Sequence, residues 1–467
     1  MDKDSKIDWV ILLLYFVLLV IGWLNLYATD YNEKNFILFG SNAGKQLVWI
    51  VISISIGIII LFFDSHFFST FAYAIYSLVI FFLVIVLFYG TIVHGSRSWI
   101  ELGGLRLQPA ELAKFATALA LAKYFSSFHF VWNWSNLKHI LIAFAIVLLP
   151  FLLIVLEPDM GSALVFFAFL FVFYREGMSG YWLILFFIVI SAAIFSLLIN
   201  VLWLLLIYIG LALIITWLFY GYKKALSVFL IIAAIFTFLY MWTLVIHYHR
   251  IDILIIVSVI IASIYFLFYI FKHNLKYAFH IIFVFYLAIF ISYSSDFLYH
   301  NILKEHQRER IDLILNKIND PKGVGYNLHQ SKIAISSGGL WGKGWLKGTI
   351  TKYDFVPEEN TDFVYCTFAE EWGFIGTLVI FLLYFLLIAR IIYIAELQHS
   401  VFTRVYGYSV ASIIFFHVAI NIGMTVGVFP IIGIPLPFFS YGGSAMLGFT
   451  ILIFILLNLD KKRHVLI

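Results

Sequence analysis

About fourteen apolar runs, most near the twenty residues of helix that cross a bilayer core, follow one another with little polar sequence between them. They lie near 8–28, 46–63, 71–93, 110–126, 138–156, 161–174, 181–199, 200–220, 224–245, 251–271, 277–294, 364–389, 405–429 and 438–458. In lipid, runs of this length must satisfy their own backbone hydrogen bonds, which helices do. The expected fold is therefore all-α, a polytopic integral membrane helical bundle. Composition agrees: 64% of the 467 residues are hydrophobic and 12% are charged. That balance excludes a soluble enzyme, a disordered chain and a secreted disulfide scaffold. Cys366 is the single cysteine, so neither an intrachain disulfide nor a cysteine-based metal cluster can form. The net charge of +4 is spread thinly, and no basic tract points to nucleic acid. The first run follows MDKDSKIDW without a small-residue cleavage site, so it reads as a first span rather than a removed signal peptide.

The sixth run is short and is expected to pack inside the bundle. Pattern does not fix the division of the seventh from the eighth near Asn200. An even number of spans puts both termini on one side. Lys123, Lys138, Arg175, Lys223, Lys224, Lys272, Lys276, Arg390, Arg404, Lys461, Lys462 and Arg463 all fall on that side. The positive-inside rule makes it cytoplasmic. Residues 295–363 then form one large extracytoplasmic loop within a single membrane domain, 1–467.

Polar residues interrupt the apolar runs at three places, and a membrane protein keeps such residues at depth where they are paired or line a cavity. The first is HGSRSWIELGGLRLQPAELAKF, residues 94–115. Its glycines mark turns, and Pro109 suits a first helical turn. Glu111 and Lys114 lie three apart on one helix face just inside an apolar span. They form either a buried structural pair or a charged pair lining a cavity. Arg97 and Arg106 add charge at the membrane face, and Trp99 suits an interfacial belt. The second is LEPDMGS, residues 156–162, where Glu157 and Asp159 are placed to cap the next helix. The third is FPIIGIPLPFFSYGGSAMLG, residues 429–448, whose prolines predict a broken helix or re-entrant turn.

The large loop holds nine Lys or Arg against nine Asp or Glu between Asp296 and Asp362, the composition of a polar cavity mouth rather than of a polybasic anchor. Lys332 and Lys343 are among its cations. Glycines at 338, 339, 342, 344 and 348 would bring backbone N–H groups near a phosphate, although GGLWGKGW lacks phosphate-loop spacing. Asp362 precedes a long apolar span. A carboxylate there is partly desolvated, which suits a general base; a helix cap suits the position equally.

Taken together, these segments resemble the SEDS family, the shape, elongation, division and sporulation proteins. GSRSWIELGGLRLQPAELAKF, EPDMGSAL, the run from GYNLHQSKIAISSGGLWGKGW to PEENTDF, and GIPLPFFSYGGS carry the resemblance in combination and in order. It covers residues 94–115, 156–163, 306–376 and 417–448. FVPE and HQSKIAISSGGLWGKG lean toward the elongation branch over the division branch. The resemblance implies an inverting peptidoglycan glycosyltransferase of the bacterial cytoplasmic (inner) membrane. Its substrate would be lipid II, a disaccharide-pentapeptide on undecaprenyl pyrophosphate. Its partners would be a class B penicillin-binding transpeptidase and the elongation machinery.

Residue by residue, Asp362 matches the family's essential extracytoplasmic aspartate, Trp99 its loop tryptophan, Glu111 and Lys114 its cavity pair, and Asp159 its proline-aspartate motif. Two departures stand out. Many members have His where this chain has Asn360. Members usually have about ten spans, and roughly four more lie within 175–295 here.

Joining two lipid-linked disaccharides requires the 4-hydroxyl of one sugar to attack the anomeric carbon of the other. A carboxylate within about 3 Å takes the hydroxyl proton, the role expected of Asp362. The departing pyrophosphate needs positive charge, for which Arg97, Arg106, Lys114, Lys332 and Lys343 are the candidates. A divalent cation, Mg or Mn, would serve the same end, although no metal-ligand spacing stands out. Two other readings fit a many-span bundle: a flippase or transporter of lipid-linked precursors, and a non-catalytic scaffold for the transpeptidase. Polar residues clustered toward one face, and a charge pair that occurs once, favour surface chemistry over alternating access.

Overall fold

A computed structural model describes residues 7–31, 40–93, 96–102, 105–127, 132, 137–199, 201–221, 226–227, 229–235, 237, 257, 260–261, 263–264, 278–302, 308, 312, 326–349 and 360–461. Contacts divide the chain into two compact units, residues 1–178 with 309–467, and residues 179–308. Among the described residues nine helices are long and apolar enough to cross a membrane. The chain is a nearly all-helical, multi-pass membrane protein.

The first unit opens with α1 (Trp9–Asp30), α2 (Asn42–Phe62) and α3 (Ser65–Tyr89). Each starts at a polar cap: Asp8, Ser41 and Asp64 accept hydrogen bonds from first-turn backbone N–H groups. A small sheet follows, β1 (Thr91–Val93), β2 (Ser96–Leu102) and β3 (Leu105–Leu107), antiparallel in sequence order. The sequence marked turns at the glycines of 94–104 and ran the third span to 93, where the helix instead stops at Tyr89 and β1 begins. The strands form because Ser96–Leu102 is long enough to pair on both edges, and Glu101 directly faces Arg106 across the second pairing.

Next come α4 (Pro109–Ser127), α5 (Leu137–Leu156), α6 (Met160–Leu164), a 3₁₀ turn (Val165–Ala168) and α7 (Phe169–Arg175). The short sixth span is thus a helix broken in two, and it is mostly buried, as expected of an internal element. Helix α4 is the most enclosed of this group. Its alanines admit close neighbours, and α3, α5 and later helices pack around it.

The second unit contains α8 (Gly180–Leu198), α9 (Val201–Tyr220) and α10 (Ala278–Asn301). With α8 ending at Leu198 and α9 beginning at Val201, the seventh and eighth expected spans are separate helices. Helix α10 packs on α8 and α9, and Tyr208 Oη meets Ser292 Oγ at 3.0 Å. The expected spans 224–245 and 251–271 lie largely outside the described residues.

The first unit resumes with α11 (Tyr326–Ser337), α12 (Val364–Glu396), α13 (Val401–Val426) and α14 (Gly443–Asp460). Helix α12 is two helical pieces joined at Gly373, whose φ is 64°. Helix α13 ends on Gly427 in the left-handed region. The 429–448 segment is non-helical up to Gly443, the broken connection that its prolines predicted.

Candidate active site

Asp362 sits in a turn, residues 360–363, just before α12. The helix cap position falls on Phe363, which makes no side-chain cap. Phe363 is instead buried against Ala334 and Cys366, anchoring the turn.

Three consecutive carbonyls of this turn are each claimed by a distant group. Tyr441 N donates to Asn360 O at 2.8 Å, Ser440 Oγ to Thr361 O at 2.6 Å, and Asn421 Nδ2 to Asp362 O at 2.9 Å. The Asn360 side chain accepts from Thr29 Oγ1 and donates to Asp30 Oδ1 at 3.4 Å, tying the turn to the end of α1. Asp362 is left half-buried. Gly433 lies against its carboxylate: a Cβ there would stand 3.1 Å from Asp362 Oδ2, and its φ of +76° favours glycine.

The EPD turn packs behind this loop. A Cβ on Gly161 would be 2.7 Å from Ile432 O and 2.8 Å from Gly433 O. Asp159 caps α6 by accepting from Ser162 N at 3.1 Å, and it also accepts from Gln108 Nε2 at 2.6 Å. Structural duty is what these contacts give it. Glu157 does not cap. Its side chain is fully buried, and neither carboxyl oxygen has a hydrogen-bond partner among the described residues. Burial, with the Asp159 charge adding to it, pushes the Glu157 carboxyl up to about 8. Its carbonyl accepts from Arg97 N at 3.2 Å, fastening β2 to the same end of the bundle.

Glu111 and Lys114 are 2% and 1% exposed and pair at 2.7 Å. Lys114 Nζ also lies 2.9 Å from His417 Nε2, while His417 Nδ1 reaches Pro435 O at 3.1 Å. A carbonyl only accepts, so Nδ1 carries the hydrogen and Nε2 receives one from Lys114. The charged pair is therefore wired to the proline loop beside Asp362 rather than open to solvent.

The other expected cations are spread around this end. Arg97 is exposed, with Trp99 half-buried beside it on β2. Arg106 is exposed and pairs with Glu101 at 2.7 Å. Lys332 is exposed and lies over Gly427, at the end of α13. Lys343 reaches the buried Glu370 at 2.6 Å.

The glycine-rich loop does not present its N–H groups to a phosphate. Lys343 N and Gly344 N donate to Glu370 O and Glu371 O, and Leu346 N and Thr349 N donate to the Glu371 and Glu370 carboxylates. Its glycines serve close packing instead: a Cβ at Gly342 would be 2.1 Å from Glu371 O.

The sequence profile described as a cell cycle protein, that of FtsW, RodA and SpoVE, matches residues 6–238 and 206–465. The chain belongs to the FtsW/RodA/SpoVE family. The four motifs had pointed to this family. Peptidoglycan glycosyltransferase RodA of Treponema pallidum is 30% identical over 461 residues, 98% of each chain. Peptidoglycan glycosyltransferase MrdB of Escherichia coli is 31% identical over 374 residues, 80% of this chain and 73% of that one. A structure from work on polymerization and crosslinking by a peptidoglycan synthase complex shares the fold. It has a TM-score of 0.62 at 22% identity and covers 98% of this chain and 99% of that one.

Sequence reasoning did not single out His417, Asn421 or Gly433. The signal was present for the first two: polar residues four apart inside an apolar span share a helix face and are costly in lipid without a partner. Nothing local distinguished Gly433 from the other glycines of its segment.

Proposed function

We propose that this chain is a peptidoglycan glycosyltransferase that polymerises lipid II during cell-wall elongation, with Asp362 as general base. The observation that carries the reading is the Asp362 turn. Its three carbonyls are tethered from two directions, and Asp362 itself is half-buried with its carboxylate beside Gly433. Such a fixed, partly desolvated carboxylate is what a sugar hydroxyl needs near neutral pH. The names of the relatives support the same chemistry.

In the proposed step the acceptor 4-hydroxyl oxygen bonds to the donor anomeric carbon as its proton passes to Asp362. The carbon–oxygen bond to the diphosphate breaks, and the electron pair leaves with the diphosphate, inverting the anomeric centre. Arg97 and Lys332 turn their charge outward and suit the departing diphosphate, while Arg106, exposed but paired with Glu101 at 2.7 Å, would have to leave that carboxylate to serve it. Lys114 and Lys343 spend theirs on Glu111 and Glu370 and act by shaping the site. Trp99 stands on the strand beside Arg97, placed to contact the substrate. Among the described residues no three His, Cys, Asp or Glu side chains converge. A divalent cation, Mg or Mn, held by one or two carboxylates and the diphosphate itself, would supply the same positive charge.

The same reading places Asp362 on the outer face of the cytoplasmic membrane with both termini inside, and a class B penicillin-binding transpeptidase beside the chain. The test is polymerisation of purified lipid II in detergent by the chain with that partner. Asp362→Ala should lose at least about 100-fold in rate with an unchanged melting temperature. Full activity in that variant removes Asp362 as base. An inactive wild type in the same assay returns the chain to the transporter or scaffold readings.

A further inference from the structure

Two side chains of α13, one helical turn apart, grip consecutive carbonyls of the proline loop. His417 Nδ1 donates to Pro435 O, and Asn421 Nδ2 donates to Ile434 O at 2.7 Å. Asn421 does one thing more. The second hydrogen of the same nitrogen goes to Asp362 O at 2.9 Å. A single amide therefore bridges the peptide of Asp362 to the loop whose Gly433 lies against the Asp362 carboxylate. Ser440 makes a second link, its Oγ donating to Thr361 O at 2.6 Å and accepting from Leu436 N at 2.8 Å, but of the two only Asn421 holds the carbonyl of Asp362 itself.

The amide is fully buried, and its Oδ1 has no hydrogen-bond partner among the described residues. An unsatisfied buried acceptor costs stability. A hydrophobic side chain of the same size would avoid that cost, so helix packing does not explain an asparagine here. Its two donors do, because an amide nitrogen offers two hydrogens where a hydroxyl offers one.

We propose that Asn421 is a positioning residue for the glycosyl transfer, fixing the Asp362 carboxylate against the 432–436 loop in the geometry a general base requires. This rests on the reading of Asp362 as the base. Since misplacement by about 1 Å can cost two orders of magnitude in rate, loss of the bridge should appear in turnover rather than in substrate affinity.

The experiment compares wild type, Asn421→Ala, Asn421→Ser and Asp362→Ala, each in complex with the transpeptidase and assayed about 10 °C below its own melting temperature. Lipid II binding supplies the affinity and the fraction of binding-competent protein, so that kcat is expressed per competent molecule. Asn421→Ala should lose about 10- to 100-fold in kcat with affinity for lipid II within about twofold. Asn421→Ser, which keeps one donor, should fall between it and wild type. If Asn421→Ala does not accumulate folded, Asn421→Ser carries the same comparison. Wild-type kcat per competent molecule in the asparagine variants, with Asp362→Ala inactive, overturns the positioning role and leaves the base intact. An active Asp362→Ala overturns the base reading itself, whatever the asparagine variants do.

Discussion

Lys114 donates to His417 across the interior of the bundle, 2.9 Å from Nζ to Nε2, and this contact joins α4 to the loop that carries Gly433. Lys114 also holds Glu111 at 2.7 Å, so one ammonium group serves a carboxylate and an imidazole at once. Phe449 closes the site, with its ring 5.4 Å from Lys114 Nζ.

Removing one partner of this pair should cost more than removing both. Lys114→Met leaves the Glu111 charge buried without compensation, a loss of about 3–5 kcal/mol for a pair of this kind. Lys114→Met combined with Glu111→Gln should recover much of that. Thermal unfolding of the three proteins in one detergent checks it. Equal melting temperatures for the single and double variants would mean that the charges are not coupled.

Glu370 is the hub of the glycine-rich loop. It accepts from Lys343 Nζ at 2.6 Å, Thr349 N at 2.8 Å and Thr349 Oγ1 at 3.1 Å. Lys343→Met should cost about 1.5–3 kcal/mol, the range for a hydrogen bond to a charged group. It should also open the loop to limited proteolysis between residues 338 and 349. Resistance equal to wild type would show that the backbone bonds hold the loop without the lysine.

Glu157 should make stability fall as pH rises. Its carboxyl is raised from 4.5 to about 8 in the folded chain by burial and the Asp159 charge. Between those values the folded state keeps a proton that the unfolded state has released, so stability declines with pH across that window and levels above about 8. Glu157→Gln cannot ionise. Its melting temperature should vary less than the wild type's from pH 5 to 9, and the gap should open on the alkaline side. Parallel curves would place the wild-type carboxyl in its ordinary range.

Much of the architecture was legible in the chain, and for one reason: lipid offers no hydrogen bonds, so each span must declare itself as an apolar run. The internal sixth span and the broken 429–448 connection could both be read this way, whereas the division of the seventh span from the eighth could not. The strands at 91–107 could not, since seven residues of mixed polarity pair only once a neighbouring strand is in place. Spacing spoke against a phosphate loop at 338–348 but did not reveal that Glu370 and Glu371 would take its N–H groups, because the partners of backbone donors are set by tertiary contacts.

The order of spans, the family motifs and the identity of Asp362 as the residue of interest were all fixed by amino-acid order, because apolar length and motif are local properties. What that carboxylate is fastened to was decided only by the fold. Its turn is held by Thr29, Asn421, Ser440 and Tyr441, which lie between about 60 and 330 positions away along the chain. Hydrogen bonds over such separations follow from how helices pack, and helix packing depends on side-chain shape along whole faces, which no short segment encodes.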